Sequence, residues 1–253
     1  MTNLWQKYVN RWSALTTEQL RHDYLKYNHG FVLDEDNANK LTSYFNIRFI
    51  PQPYIGNYTA QHYILMTNPS WHEFDIQHMG IEKIDKEFES SAFRRFEICL
   101  NQLTFSNNRN NENQFHLLSN EFSYIPHAIS RTKSAYGWWK QRIFCKNSIV
   151  KSEHDLFVLQ FFPYRSYCSS HVEAFAKQYA LESAIYRNEL LKNAISENKL
   201  IYIMRSVKLW INSIPDLKEY GLDTNNVFVA KNFQNATLSK SNLKSFKEWL
   251  NER

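Results

Sequence analysis

The chain is poor in glycine and cysteine, five of the first and three of the second among 253 residues, and that scarcity excludes several chemistries at once. There is no GxGxxG turn for a dinucleotide and no Walker loop to cradle phosphates with backbone amides. Cys99, Cys145 and Cys168 are odd in number and far apart, so they build neither a disulfide framework nor a CxxC metal knuckle. The nine histidines are dispersed and HExxH is missing. No metal and no cofactor are therefore expected. No run approaches the roughly 20 consecutive apolar residues that cross a bilayer. The start, Met1-Thr2-Asn3-Leu4-Trp5-Gln6-Lys7, lacks the basic-then-apolar pattern of a secretory signal. A cytoplasmic protein without a membrane partner is the expectation.

What is present reads as globular. Hydrophobic residues make up 43% of the chain, aromatic ones 16% and charged ones 22%, enough apolar material for one sizeable core. The net charge of +5 is compatible with a polyanionic partner without requiring one.

The first fifty residues carry helical signals. Leu4, Tyr8, Trp12 and Leu15 recur at three- and four-residue spacing, and residues 34–46 read as a further polar-faced helix. The prolines of Pro51-Gln52-Pro53 break that pattern. Beyond them, four short apolar runs stand out at 62–67, 155–162, 200–204 and 226–230, each stopped by polar residues or proline. Helical patterns fall at 83–103, 172–195 and 206–214, and an amphipathic helix closes the chain. Strands separated by helices imply crossover connections. The expected architecture is α/β: a mostly parallel four-stranded sheet with helices on both faces, residues 51–253, preceded by a helical extension at 1–50.

In open α/β sheets, ligands gather beyond the carboxyl ends of the strands. The four ends here are Asn68-Pro69-Ser70-Trp71, Phe162-Pro163-Tyr164-Arg165-Ser166, Arg205-Ser206, and the stretch from Asn232 through Gln234, Asn235, Ala236, Thr237 and Leu238 to Ser239. Every one places polar or aromatic groups where an apolar strand stops. Tyr54, Trp71 and Tyr164 are candidate stacking platforms for a base. Arg165 and Arg205 carry the planar fork that suits phosphate.

The proline-rich approach, the strand and the Asn68-Pro69-Ser70 that follows it resemble the first motif of the uracil-DNA glycosylase superfamily. The likeness runs in order over all four strand candidates and ends on Gln234–Ser239, which shares a Leu-Ser ending with the family's last motif. The resemblance implies a role for Asn68 in aligning the water that attacks the sugar carbon, with the backbone around Pro69 and Ser70 against the base. It also implies that the segment ending the second core strand, with Phe162, delivers a base-reading group. Where the family has a histidine that donates to the departing base, this chain offers Asn232, Gln234 and Asn235. Asn235 is taken with Asn68 as the catalytic pair, and Ser239 as a substrate contact.

The functional expectation is a glycosylase-like hydrolase that cleaves the N-glycosidic bond of a flipped base, natural or modified, in DNA. Divergent chains of this type in bacteria point to phage defence. The alternative is a catalytically silent module of the same fold that binds nucleic acid or protein. An unrelated α/β hydrolase acting on a nucleotide or another small molecule is a more remote reading.

Overall fold

The computed structural model describes residues 45–46, 54–56, 59–68, 141–152, 155–163, 165–166 and 183–253. Residues 1–44 of the expected helical extension, all of 69–140, Tyr164 and the boundary after residue 50 lie outside them. By internal contacts the chain divides into two compact units. The first draws on Met1–Pro53, Asn68–Asn111 and Phe162–Glu189, and the second on Tyr54–Thr67, Glu112–Phe161 and Leu190–Arg253.

Within the first unit, β1 (Phe45–Asn46) pairs antiparallel with β5 (Arg165–Ser166), Phe45 opposite Ser166. The helix expected over 34–46 thus does not reach its end. Phe45 has the aromatic ring that strands favour, and pairing with residues 120 positions away overrides the local helical pattern.

The second unit carries the sheet. Its six strands lie in the order β2-β4-β3-β6-β7-β8, with β2 at Tyr54–Gly56, β3 at His62–Met66, β4 at Leu156–Gln160, β6 at Leu200–Ile203, β7 at Val227–Ala230 and β8 at Leu243–Ser245. The four central strands are parallel and coincide with the four expected runs. The two edges are antiparallel additions, β2 on β4 and β8 on β7. Both were illegible as strands because each is only three residues long, too short for alternation to register.

Apolar runs rather than alternating ones mark a sheet covered on both faces, and β4 shows it: Leu156, Phe157, Val158 and Leu159 are all at or below 1% exposure. On one face Ile64, Met66, Leu156, Val158, Tyr202 and Met204 pack with Ile143, Val150, Ala236 and Leu238 in a single cluster. On the other, Phe161 meets Trp210 edge-on at 5.1 Å. Trp210 belongs to α2 (Val207–Ser213), which follows β6. α1 (Ser183–Ser196) leads into β6 through Asn198, whose φ of 56° suits an asparagine.

α3 (Pro215–Asp223) was not foreseen, although Pro215 at its first turn is a standard start. α4 (Phe246–Asn251) opens with a capping box in which Ser245 and Glu248 satisfy each other's backbone amides. α3 and α4 press together so closely that a Cβ built on Gly221 would stand 2.6 Å from Cδ1 of the fully buried Phe246 ring. Gly221→Ala is therefore expected to destabilise the protein by about 1–3 kcal/mol. A lowered urea midpoint with an unchanged slope is the readout.

Candidate functional site: the carboxyl rim of the sheet

β3 hydrogen-bonds to β4 on one side and β6 on the other. The chain leaves β3 towards β4 and leaves β6 towards β7, in opposite directions across the sheet. The topological switch point, where ligands of open α/β sheets bind, therefore falls between the carboxyl ends of β3 and β6.

Two hydroxyls meet there. Thr67, 2% exposed, and Ser206 share a hydrogen bond of 2.8 Å between Oγ1 and Oγ. Neighbouring backbone bonds, Met204 N to Leu65 O and Phe161 N to Met66 O, continue the ladder up to this edge. Ser206 turns the chain from β6 into α2 with φ 52° and ψ 45°. A serine in that left-handed region costs about 1–3 kcal/mol, and its side chain makes no cap bond to α2. The hydroxyl instead reaches Thr67.

The next rim group comes from β4. Gln160 is opposite Met66 and continues the Leu156, Val158 row. It is 4% exposed, and its Oε1 has no hydrogen-bond partner among the described residues. Arg205, two residues beyond β6, is half-buried, and its fully enclosed Nε also lacks a partner among them. Burial, and then the charge of Arg142, hold the Arg205 guanidinium below its ordinary pKa. Arg142 precedes the core residue Ile143, accepts a backbone bond from Leu238 N at 2.8 Å and donates from Nη2 to Asn235 Oδ1 at 2.9 Å. A guanidinium can only donate, so this contact fixes the Asn235 amide with Oδ1 towards Arg142 and Nδ2 turned away.

The amino end of the sheet is different. His62 and the Tyr202 hydroxyl pair at 3.0 Å, with their rings stacked. Burial lowers the His62 pKa, opposed by Asp155, and raises that of Tyr202. Tyr220 donates to the Lys199 carbonyl and accepts from Asn226, while Lys199 reaches the Thr59 carbonyl and Glu197. Polar groups there satisfy one another. At the carboxyl rim, Gln160 and Arg205 hold unmade bonds, and buried polar groups without partners cost about 1–3 kcal/mol each.

The expected site residues fall into three groups. Arg205 and Asn235 come to this rim, and Gln234 lies exposed on the same loop as Asn235. Asn68, half-buried, directly follows Thr67.

Four others serve the fold. The Tyr54 ring is 1% exposed and stacked on Phe157 at 5.8 Å, so it has no open face for a base. Phe162 is likewise buried at 1%. The Asn232 side-chain Oδ1 accepts from the backbone amides of Gln234 and Asn235, at 3.0 and 3.1 Å, and so shapes the loop. Ser239 is buried and bonded to Thr237 and Ser241.

Pro69, Ser70, Trp71 and Tyr164 lie outside the described residues. Arg165 is described only as part of β5.

Sequence reading missed Thr67, Gln160 and Arg142 at this rim, and named Ser206 only as part of the strand end Arg205-Ser206. Gln160 did carry a signal, as the one polar residue inside the run Leu156-Phe157-Val158-Leu159-Gln160-Phe161-Phe162. The pairing of Thr67 with Ser206 depends on strand register and has no local mark.

Compared with known proteins, the chain matches no protein-family model, no curated protein and no solved structure. Among the described residues no three His, Cys, Asp or Glu side chains converge as metal ligands, and no helix is long and apolar enough to cross a membrane.

Proposed function

We propose that the chain is a glycosylase-like hydrolase acting on DNA, which receives a flipped base at the carboxyl rim beside β3 and β6 and cleaves its N-glycosidic bond. The observation that carries the reading is the polar rim at the switch point. The ends of β4, β3, β6 and β7 supply Gln160, Thr67, Arg205 with Ser206, and Asn235 to one edge, two of them with buried bonds still unmade.

The donor set suits a leaving base and a weak nucleophile. A carboxamide is no strong base, but Asn68 can orient water, and an oxocarbenium-like sugar accepts water without prior deprotonation. The water oxygen bonds to the sugar carbon as the carbon–nitrogen bond breaks. The bonding pair leaves with the base, and the water's extra proton passes to solvent. Asn235 Nδ2, pre-oriented by Arg142, is a donor for charge growing on the base oxygen. Gln160 offers an amide edge to the base's own donors and acceptors.

The second reading, a silent module of the same fold that binds nucleic acid, is favoured by one feature: neutral, exposed amides stand where the resembled family has a histidine.

Incubating the full chain with DNAs of natural and modified bases, phage DNAs included, and then treating with alkali separates the two. Strand breaks at one class of base are the expected result. Binding at low salt without breaks leaves the silent module, and no binding at all removes both.

A further inference from the structure

We infer that Arg142 and Arg205 together form a phosphate site on this rim, with Arg142 as the outer, partly exposed arm and Arg205 as the inner one. The inference rests on the proposed reading for its place, since it names what the rim would hold beside the base.

The placement follows from the core. Ile143, Met204 and Ala236 belong to one buried cluster. Arg142, Arg205 and Asn235 each adjoin a member of it in the chain; Arg142 and Asn235 are joined by a 2.9 Å bond, and Arg205 lies close enough to Arg142 to feel its charge. Arg142 is further tied by the bond from Leu238 N to its carbonyl and by its own bond to Asn235.

Two guanidinium groups that feel each other's charge are ordinarily neutralised by a carboxylate. Among the described residues the ion pairs are Lys192 with Asp216, Lys199 with Glu197 and Lys244 with Glu252. None involves either arginine. Arg205 also keeps an enclosed Nε without a partner. That is the group a bidentate oxyanion uses, one oxygen on Nε and one on a terminal nitrogen.

Like charge held together, and a desolvated donor left unpaired, are both unfavourable in the empty protein, and a phosphate relieves both. Lysines on the surface, such as Lys231 and Lys240, show none of this construction: they are exposed and need no ligand.

Phosphate of this kind can come from a terminal monoester or from the diester of a strand, and three probes distinguish them. The full chain is titrated by calorimetry with inorganic phosphate, with a deoxynucleoside 5′-monophosphate and with a short single-stranded oligonucleotide. Arg142→Ala and Arg205→Lys are compared with the unaltered protein. Arg205→Lys keeps the charge and removes the fork, so its binding reports on geometry, and its urea midpoint checks that the fold is retained.

Each substitution is expected to weaken binding about tenfold or more. Loss with the monophosphate and with inorganic phosphate identifies a monoester site. Loss with the oligonucleotide alone, accompanied by a salt slope reduced by about 0.7 per arginine, identifies a backbone diester. Unchanged affinity for all three probes in both variants, or no binding of any probe by the unaltered protein, overturns the site. These outcomes are separate from base release. Phosphate binding without alkali-labile sites sinks the glycosylase reading alone, and base release that survives unaltered in both arginine variants sinks this inference alone.

Discussion

Asn68→Ala is expected to end base release while the protein remains folded. A positioned group that aligns or moves a proton contributes about a hundredfold or more to rate, so abasic sites should fall by at least that factor at saturating DNA. Asn68 follows a strand whose residues Tyr63, Ile64 and Leu65 are at most 1% exposed, and it is itself only half-buried. The urea midpoint of the variant checks that the fold is retained.

Asn68→Asp gives the complementary result. A carboxylate both orients and deprotonates water, so release should persist at neutral pH. It should decline as the pH falls through the ordinary aspartate range, near about 3.9. Release that is indifferent to both changes removes Asn68 from the mechanism.

How far the sequence carried this picture differs between elements. The four parallel strands were legible because each is a short apolar run with a β-branched or aromatic member and a polar stop. Val227-Phe228-Val229-Ala230 before Lys231 is a clear case. Their carboxyl ends were therefore legible too, and with them Arg205 and Asn235.

Register was not. The 2.8 Å contact of Thr67 with Ser206 joins residues 139 positions apart and exists because β3 pairs directly with β6. Nothing in either local stretch announces that neighbour. Tyr54 shows the converse error. An aromatic residue between Pro53 and Gly56 reads as an exposed platform, yet a three-residue edge strand folds it onto Phe157. Arg142 sits in a stretch without readable periodicity, and its importance comes from the Leu238 and Asn235 contacts that only the folded loop supplies.

Gln160→Leu separates a residue kept for function from one kept for packing. The side chains are similar in size, and Leu prolongs the apolar row of Leu156 and Val158. If Gln160 served the fold, its carbonyl would be expected to have a partner; Oε1 has none among the described residues, at 4% exposure. Burying such an acceptor costs about 1–3 kcal/mol, so its removal should leave stability unchanged or raise it by about 1 kcal/mol, read as the urea midpoint. Recognition should move in the opposite sense. A site built to hydrogen-bond its substrate discriminates by as much as about 10⁴-fold through such groups, and the Leu variant offers the base no edge to pair with. The expected combination is a protein at least as stable as the original that no longer releases its preferred base and retains phosphate affinity through Arg142 and Arg205. A drop of more than about 1 kcal/mol with base preference intact would assign Gln160 to the core instead. The two measurements together decide the matter, because stability and recognition change in opposite directions only where a buried polar group is held ready for a ligand.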